Sequence, residues 1–141
     1  MTQSGTRTAA DRLELEVGQF VKEIGEAGDD EVRDEVEATI GDTLAPADRE
    51  STADAVLVWF EDGDDDLADT LVDATAELNE TGVIWVLTPK VGRPGYVEFA
   101  DISEAAAVAG LSSTSGTPIS EDWTATRLVV PKTDRRNSPF D

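Results

Sequence analysis

The chain has 141 residues and carries 11 Lys and Arg against 31 Asp and Glu, a formal net charge of −20. That length suits one domain with a packed core, and that charge repels nucleic acid and anionic membranes while attracting basic partners or divalent cations. Neither Cys nor His occurs, which excludes disulfides, thiolate or imidazole metal sites, a Ser-His-Asp triad and a cysteine nucleophile.

Residues 1–12 are small and polar and are expected to form a disordered tail. They lack the apolar core of a signal peptide. No apolar run approaches the roughly 20 residues that span a bilayer, so the expectation is a cytoplasmic protein with no membrane role. Residues 13–132 are expected to form a single α/β domain, and 133–141 a flexible tail. Gly18 to Ile24 alternates as a modest strand. Val32, Val36 and Ile40 then recur at i, i+4, i+8, the stripe of a helix over 29–40 that Gly41 ends. Residues 42–53 read as a polar connection with Leu44 tucked beneath it.

The stretch from Asp54 to Lys90 fixes the fold class. It reads DAVLVWF, an acidic loop, an amphipathic run, then GVIWVLTPK. Both strands are continuous apolar runs, the mark of a sheet covered on two faces. A helix between them makes them parallel. Its buried stripe is predicted as Leu67, Leu71, Ala74 and Leu78, widened by Val72, with Gly82 closing the turn into the second strand. Asp66, Asp69, Asp73, Glu77 and Glu80 follow the opposite stripe, where like charges oppose the helix by a few tenths of a kcal/mol per pair. Thr88 to Gly95 reads as a loop, because two Pro and two Gly forbid regular structure. Asp101 and Glu104 have capping-box spacing, and Gly110 stops the Ala-rich helix they open. Residues 111–119 and 123–131 form an antiparallel hairpin around Ser120-Glu121-Asp122. The fold class is therefore α/β, a Rossmann-like layered sheet, mainly parallel, with a C-terminal antiparallel hairpin.

Four features could carry chemistry. Gly25 and Gly28 punctuate a strand–helix turn, where nucleotide-binding folds place a phosphate or adenosine loop. EIGEAG faintly resembles the glycine-rich loop of class I methyltransferases, but Glu26, Asp29, Asp30 and Glu31 would repel phosphate, and a plain turn is favoured. In the acidic loop, Asp62, Asp64, Asp66 and Asp73 take calcium-hand spacing, yet Leu67 replaces the glycine such a loop requires. The loop is read as a helix cap, with Asp62 a weak ligand contact and no metal expected. Lys90 and Arg93, flanking Gly92, are the first cations after a run of 40 residues (50–89) without Lys or Arg. They arrive at the strand end where open α/β sheets bind ligands. They are candidates for a ligand or partner, and the plainer alternative is pairing with nearby carboxylates. Trp59 and Trp85 are expected in the core. Trp123, expected half-exposed and stacked on Arg127, is a candidate interface anchor.

DAVLVWFEDGDDDLADTLVDA, GVIWVLTPKVGRPGYVE, ADISEAA, Ala109-Gly110-Leu111 and DWTATRLVVPK together resemble the actinobacterial family known as domain of unknown function 3052, over roughly residues 13–132. The resemblance implies a small actinobacterial protein and transfers no catalytic residue or cofactor. The element order also looks like the back half of a class I methyltransferase, which is fold analogy alone. The leading expectation is a non-enzymatic interaction or regulatory module with a protein partner. The alternative is a binder of a nucleotide or S-adenosylmethionine-like ligand, or a degenerate methyltransferase-like enzyme.

Overall fold

A computed structural model describes residues 12–25, 28–46, 51–63 and 66–131. The strands are β1 (Val21–Ile24), β2 (Ala45–Pro46), β3 (Ala53–Trp59), β4 (Leu78–Pro89), β5 (Ser112–Pro118) and β6 (Trp123–Val129). The helices are α1 (Asp30–Ile40), α2 (Leu67–Ala76) and α3 (Phe99–Val108). The six strands form one sheet in the order β2-β1-β3-β4-β6-β5. The pairs β1–β2, β1–β3 and β3–β4 are parallel, while β4–β6 and β6–β5 are antiparallel.

The continuous apolar runs of β3 and β4 are buried on both faces. Leu57, Trp59, Trp85 and Leu87 join the α1 residues Val32, Val36 and Ile40 in one core cluster. Val56, Val58, Ile84 and Val86 join Leu67, Leu71 and Ala74 of α2 and Ile102 and Ala106 of α3 in the other. So α1 covers one face, and α2 with α3 covers the other. From β1 the chain crosses over α1 to reach β2, then returns to place β3 on the far side of β1. Direction therefore reverses between β1 and β3, and the ends of those two strands form the topological switch point, where open α/β sheets have their crevice.

The helix ends follow local chemistry. The Asp29 side chain accepts from Glu31 N (2.9 Å), and Gly41 at φ 81° closes α1 by donating its N–H to the Glu37 carbonyl. Asp66 caps α2 by accepting from Ala68 N at 2.9 Å. The acidic loop thus ends in a cap, as its sequence suggests.

Several elements differ from the sequence expectation. The first strand is confined to four residues. A two-residue strand, β2, sits within the segment read as connection, directly after Leu44, which packs on the core. The second central strand begins at Leu78, so Leu78 is not a helix residue and Gly82 is not a turn. Residues 79–82 swing out between the pairs Ala53↔Leu78 and Ala55↔Val83. Asn79 holds that bulge by donating to Asp54 Oδ1 (2.7 Å), and a Cβ on Gly82 would lie 2.7 Å from Leu78 Cδ2. Val72 is exposed. Thr88 and Pro89 continue β4, opposite Thr124 and Trp123, rather than opening the loop. The third helix starts three residues earlier than its capping-box pattern, at Phe99. Asp101 lies inside its first turn, and Glu98 is the N-cap with no side-chain cap bond. Each difference comes from sheet pairing or packing overriding a local pattern.

Of the expected N-terminal tail only Arg12 is described, and its guanidinium donates to the Pro118 carbonyl at 2.9 Å. The expected C-terminal tail lies outside the described residues. Among the described residues, no helix is long and apolar enough to cross a membrane.

Candidate functional site

The switch point is lined by Glu23 of β1, Trp59 at the end of β3 and Arg33 of the first turns of α1. Arg33 Nε donates to Glu23 Oε1 at 2.8 Å, and the Trp59 indole N–H donates to the same oxygen at 3.0 Å. Arg33 also pairs with Asp30 (2.9 Å), and its Cζ lies 4.9 Å from the Trp59 ring centroid, in cation–π range. Burial lowers the Arg33 pKa, but hydrogen bonds and charge from Glu23 and Asp30 outweigh burial and raise it above the ordinary arginine value. A raised pKa adds stability that is fully present below the unfolded value and lost only as pH rises through the folded one. Protonation of the guanidinium itself therefore stays constant until strongly alkaline pH.

The glycines of this turn serve the cluster. A Cβ on Gly25 (φ 107°) would stand 2.5 Å from the Trp59 carbonyl oxygen, and one on Gly28 (φ 140°) would collide with the Arg33 guanidinium. Their bare faces are taken up by the chain itself. Asp62 is exposed, and its backbone N–H donates to the Gly95 carbonyl at 2.9 Å, which ties the acidic loop to the 90s loop. Asp64 and Asp65 lie outside the described residues. Among the described residues, no group of three or more carboxylates is arranged to hold a metal ion.

The basic loop is held to the hairpin turn. Lys90 N donates to the Asp122 carbonyl (2.9 Å), and Arg93 Nε pairs with Asp122 Oδ1 (3.1 Å). Arg93 is half-exposed, so the pair fixes the loop more than it stabilises the fold. Gly92, at φ 86°, has open space around it. Lys90 is half-buried and has no ion pair among the described residues. The structure does not bring Gly25 and Gly28 together with this loop: they sit at β1, and the loop follows β4.

Trp123 departs from expectation. It is buried, and its ring meets Trp59 edge-on, with centroids 5.0 Å apart at 85°. Arg127 does not stack on it. It lies opposite Trp85 across β4–β6, and its Nε approaches Glu14 at 3.8 Å. Four residues apart on β6, Trp123 and Arg127 share a face but stand roughly 13 Å apart along the strand, whereas Trp59 comes close through the packing of one face.

Sequence reasoning missed two features. Lys22 is fully buried on β1 and pairs with Glu77, the C-cap of α2, at 2.6 Å. The alternation in GQFVKEI places Lys22 inside, but only the packed α2 shows what receives it. The second feature is a pocket of about 280 Å³ beside the basic loop, bounded by Thr88, Thr126, Val91, Tyr96 and Phe99 among others. It lies at the C-terminal edge of β4, two strands from the switch point.

The family model described as protein of unknown function, DUF3052, matches residues 10–132. The chain belongs to the DUF3052 family. Uncharacterised proteins of Mycobacterium bovis and Mycobacterium tuberculosis are 46% identical to it over 125 residues, 87% of this chain and 78% of each relative. Among solved structures, this DUF3052 chain is similar to the O-methyltransferase NcsB1 of neocarzinostatin biosynthesis, solved with S-adenosylmethionine and a naphthoic acid. That match has a TM-score of 0.63 at 16% identity and covers 89% of this chain and 51% of the enzyme, so the chain spans about half the enzyme's length. A S-adenosylmethionine-dependent methyltransferase from Aquifex aeolicus matches with a TM-score of 0.61 at 8% identity, covering 87% of this chain and 89% of that one. These similarities establish a methyltransferase-like, Rossmann-type α/β sheet for this DUF3052 member. At such identities they speak to fold alone.

Proposed function

We propose that this DUF3052 chain is a non-enzymatic interaction module that retains a methyltransferase-type sheet but not the use of its switch-point crevice for a cofactor. The observation that carries this reading is the Glu23–Arg33–Trp59 cluster. A ligand-binding crevice leaves its carboxylate and glycine faces open to the ligand. Here one Glu23 oxygen accepts from both Arg33 and Trp59, and a Cβ on either glycine would meet the chain's own atoms. The partner this reading calls for is a protein with a basic surface. Its support is the net charge of −20, together with an acidic recess between the α1 N-terminus and the β5–β6 turn, lined by Asp29, Glu31, Glu35, Glu121 and Asp122.

The second reading, an S-adenosylmethionine or nucleotide binder, draws its support from the solved neighbours. Calorimetric titration with S-adenosylmethionine, S-adenosylhomocysteine and ATP separates the two. The module reading expects no saturable heat, and saturable binding at micromolar ligand would replace it with the second. Affinity capture from native lysate tests the partner. A stoichiometric basic protein retained at low salt and released as salt rises is expected. Recovery of none at either salt would overturn the interaction reading.

A further inference from the structure

The sheet face at the C-terminal end of β4 and the N-terminal end of β6 changes character along its length. Ile84, Val86 and Leu128 are apolar and belong to the core beneath the helices. Closer to the edge the same face carries Thr88, Thr124 and Thr126, with Gly116 beside them on β5. Thr88 and Thr126 are only 2% and 1% exposed, yet neither hydroxyl is among the fully buried, unpartnered side-chain atoms of the described residues. What little of these residues stays accessible includes a group that can donate and accept a hydrogen bond, which valine in the same space would lack. Both residues line the pocket of about 280 Å³ described above.

The pocket has the other attributes of a ligand site. Val91, Tyr96 and Phe99 bound it and are 73%, 38% and 46% exposed, three of the exposed large apolar residues gathered at one place. No lining residue is charged. Gly116 has ordinary backbone geometry, and a Cβ there would stand 3.3 Å from Thr124 Cγ2 and 3.7 Å from Thr126 Oγ1. Any larger side chain at 116 would therefore fill the space over the threonines. The pocket's size is at the small end of ligand cavities, and apolar walls with a few converging polar groups are their usual make-up.

We propose that this pocket binds a small, uncharged aromatic molecule that carries a hydroxyl, with the ring against Tyr96 and Phe99 and the hydroxyl on Thr88 and Thr126. The site is independent of the switch point, so it stands whether or not the module reading does. Uncharged walls disfavour ions of either sign, and the net charge of −20 further disfavours anions.

Tyr96 is the sole tyrosine of the chain, so ring-labelled tyrosine gives one NMR probe inside the site. The full chain is titrated with phenol and, separately, with toluene, which has nearly the same size but no hydroxyl. A saturable shift of the Tyr96 signal is expected, with phenol bound more tightly than toluene. Thr126→Val should weaken phenol about fivefold, the usual worth of one hydrogen bond, and leave toluene unchanged. Gly116→Leu should abolish both while leaving the far-ultraviolet circular dichroism intact; if that variant does not fold, Thr126→Val decides alone. No saturable shift up to tens of millimolar phenol overturns the proposal. So does a shift that Thr126→Val leaves unchanged for both ligands.

Discussion

The ends of β1 and β3 and the ends of β4 and β6 lie on the same edge of one sheet, yet they treat polar groups in opposite ways. At the switch point the polar groups of the cluster pair with one another: one Glu23 oxygen with Arg33 and Trp59, and Arg33 also with Asp30. At the β4–β6 edge two nearly buried threonines, Thr88 and Thr126, line a pocket whose walls carry no charge. Binding capacity therefore cannot be read from topology. The position where a Rossmann-type sheet has its crevice is closed by three side chains, and an edge two strands away is left open by a row of threonines and a glycine.

Mutations should separate the two regions, the largest effects falling at the closed one. Trp59→Ala removes a ring that packs on Trp123 and Arg33 and leaves Glu23 short of a donor. A loss of about 4 kcal/mol is expected in urea unfolding; a loss below about 1 kcal/mol would mean the cluster is not structural. Gly25→Ala forces a Cβ against the Trp59 carbonyl at positive φ, and about 2–3 kcal/mol should be lost. Arg33→Ala should cost about 1–2 kcal/mol by the same measurement, since the side chain is partly solvated. That loss should be nearly independent of pH from 7 to 10, because the Arg33 pKa is raised beyond that window. A steep decline over that range would contradict the ion-pair assignment.

At the open edge the sign should reverse. Thr126→Val replaces a hydroxyl at the pocket wall, for which no structural hydrogen bond is shown, with a methyl group and should leave stability unchanged or raise it by up to about 1 kcal/mol. Destabilisation above that amount would show that the hydroxyl has a structural partner, and the contrast between the regions would fail.

Away from both sites, Lys22 is a third instance of internal pairing. Glu77→Ala takes away a carboxylate 2.6 Å from the buried ammonium, and about 2–3 kcal/mol should be lost; Lys22→Met, which removes the charge as well as the pair, should change stability by less than about 1 kcal/mol. If the two variants are equally destabilised, the buried charge is not what makes the first one costly.

What the sequence determined by itself is the layered architecture. The two continuous apolar runs require cover on both faces, and the helix between them requires parallel pairing, so Val56–Trp59 and Ile84–Leu87 could hardly sit elsewhere. The spacing of Val32, Val36 and Ile40, the Asp66 cap and the stop at Gly110 were legible too, because each depends on residues within a few positions of one another. The sites were not legible in this way. Gly25 and Gly28 read as a ligand turn, and only folding brings Trp59 and Arg33, 34 and 8 positions from Gly25, against their bare faces. The basic loop lies beside the pocket, but its cations are not in the pocket wall. The threonine shelf is assembled from β4, β5 and β6 by register, and register across strands is a property of pairing rather than of composition. Trp123 shows the same limit: alternation placed it on a strand, but whether it faces solvent or Trp59 depends on which sheet face α1 covers. Local patterns suffice for the elements because their causes are local. The sites needed the tertiary structure because their partners are distant in the chain.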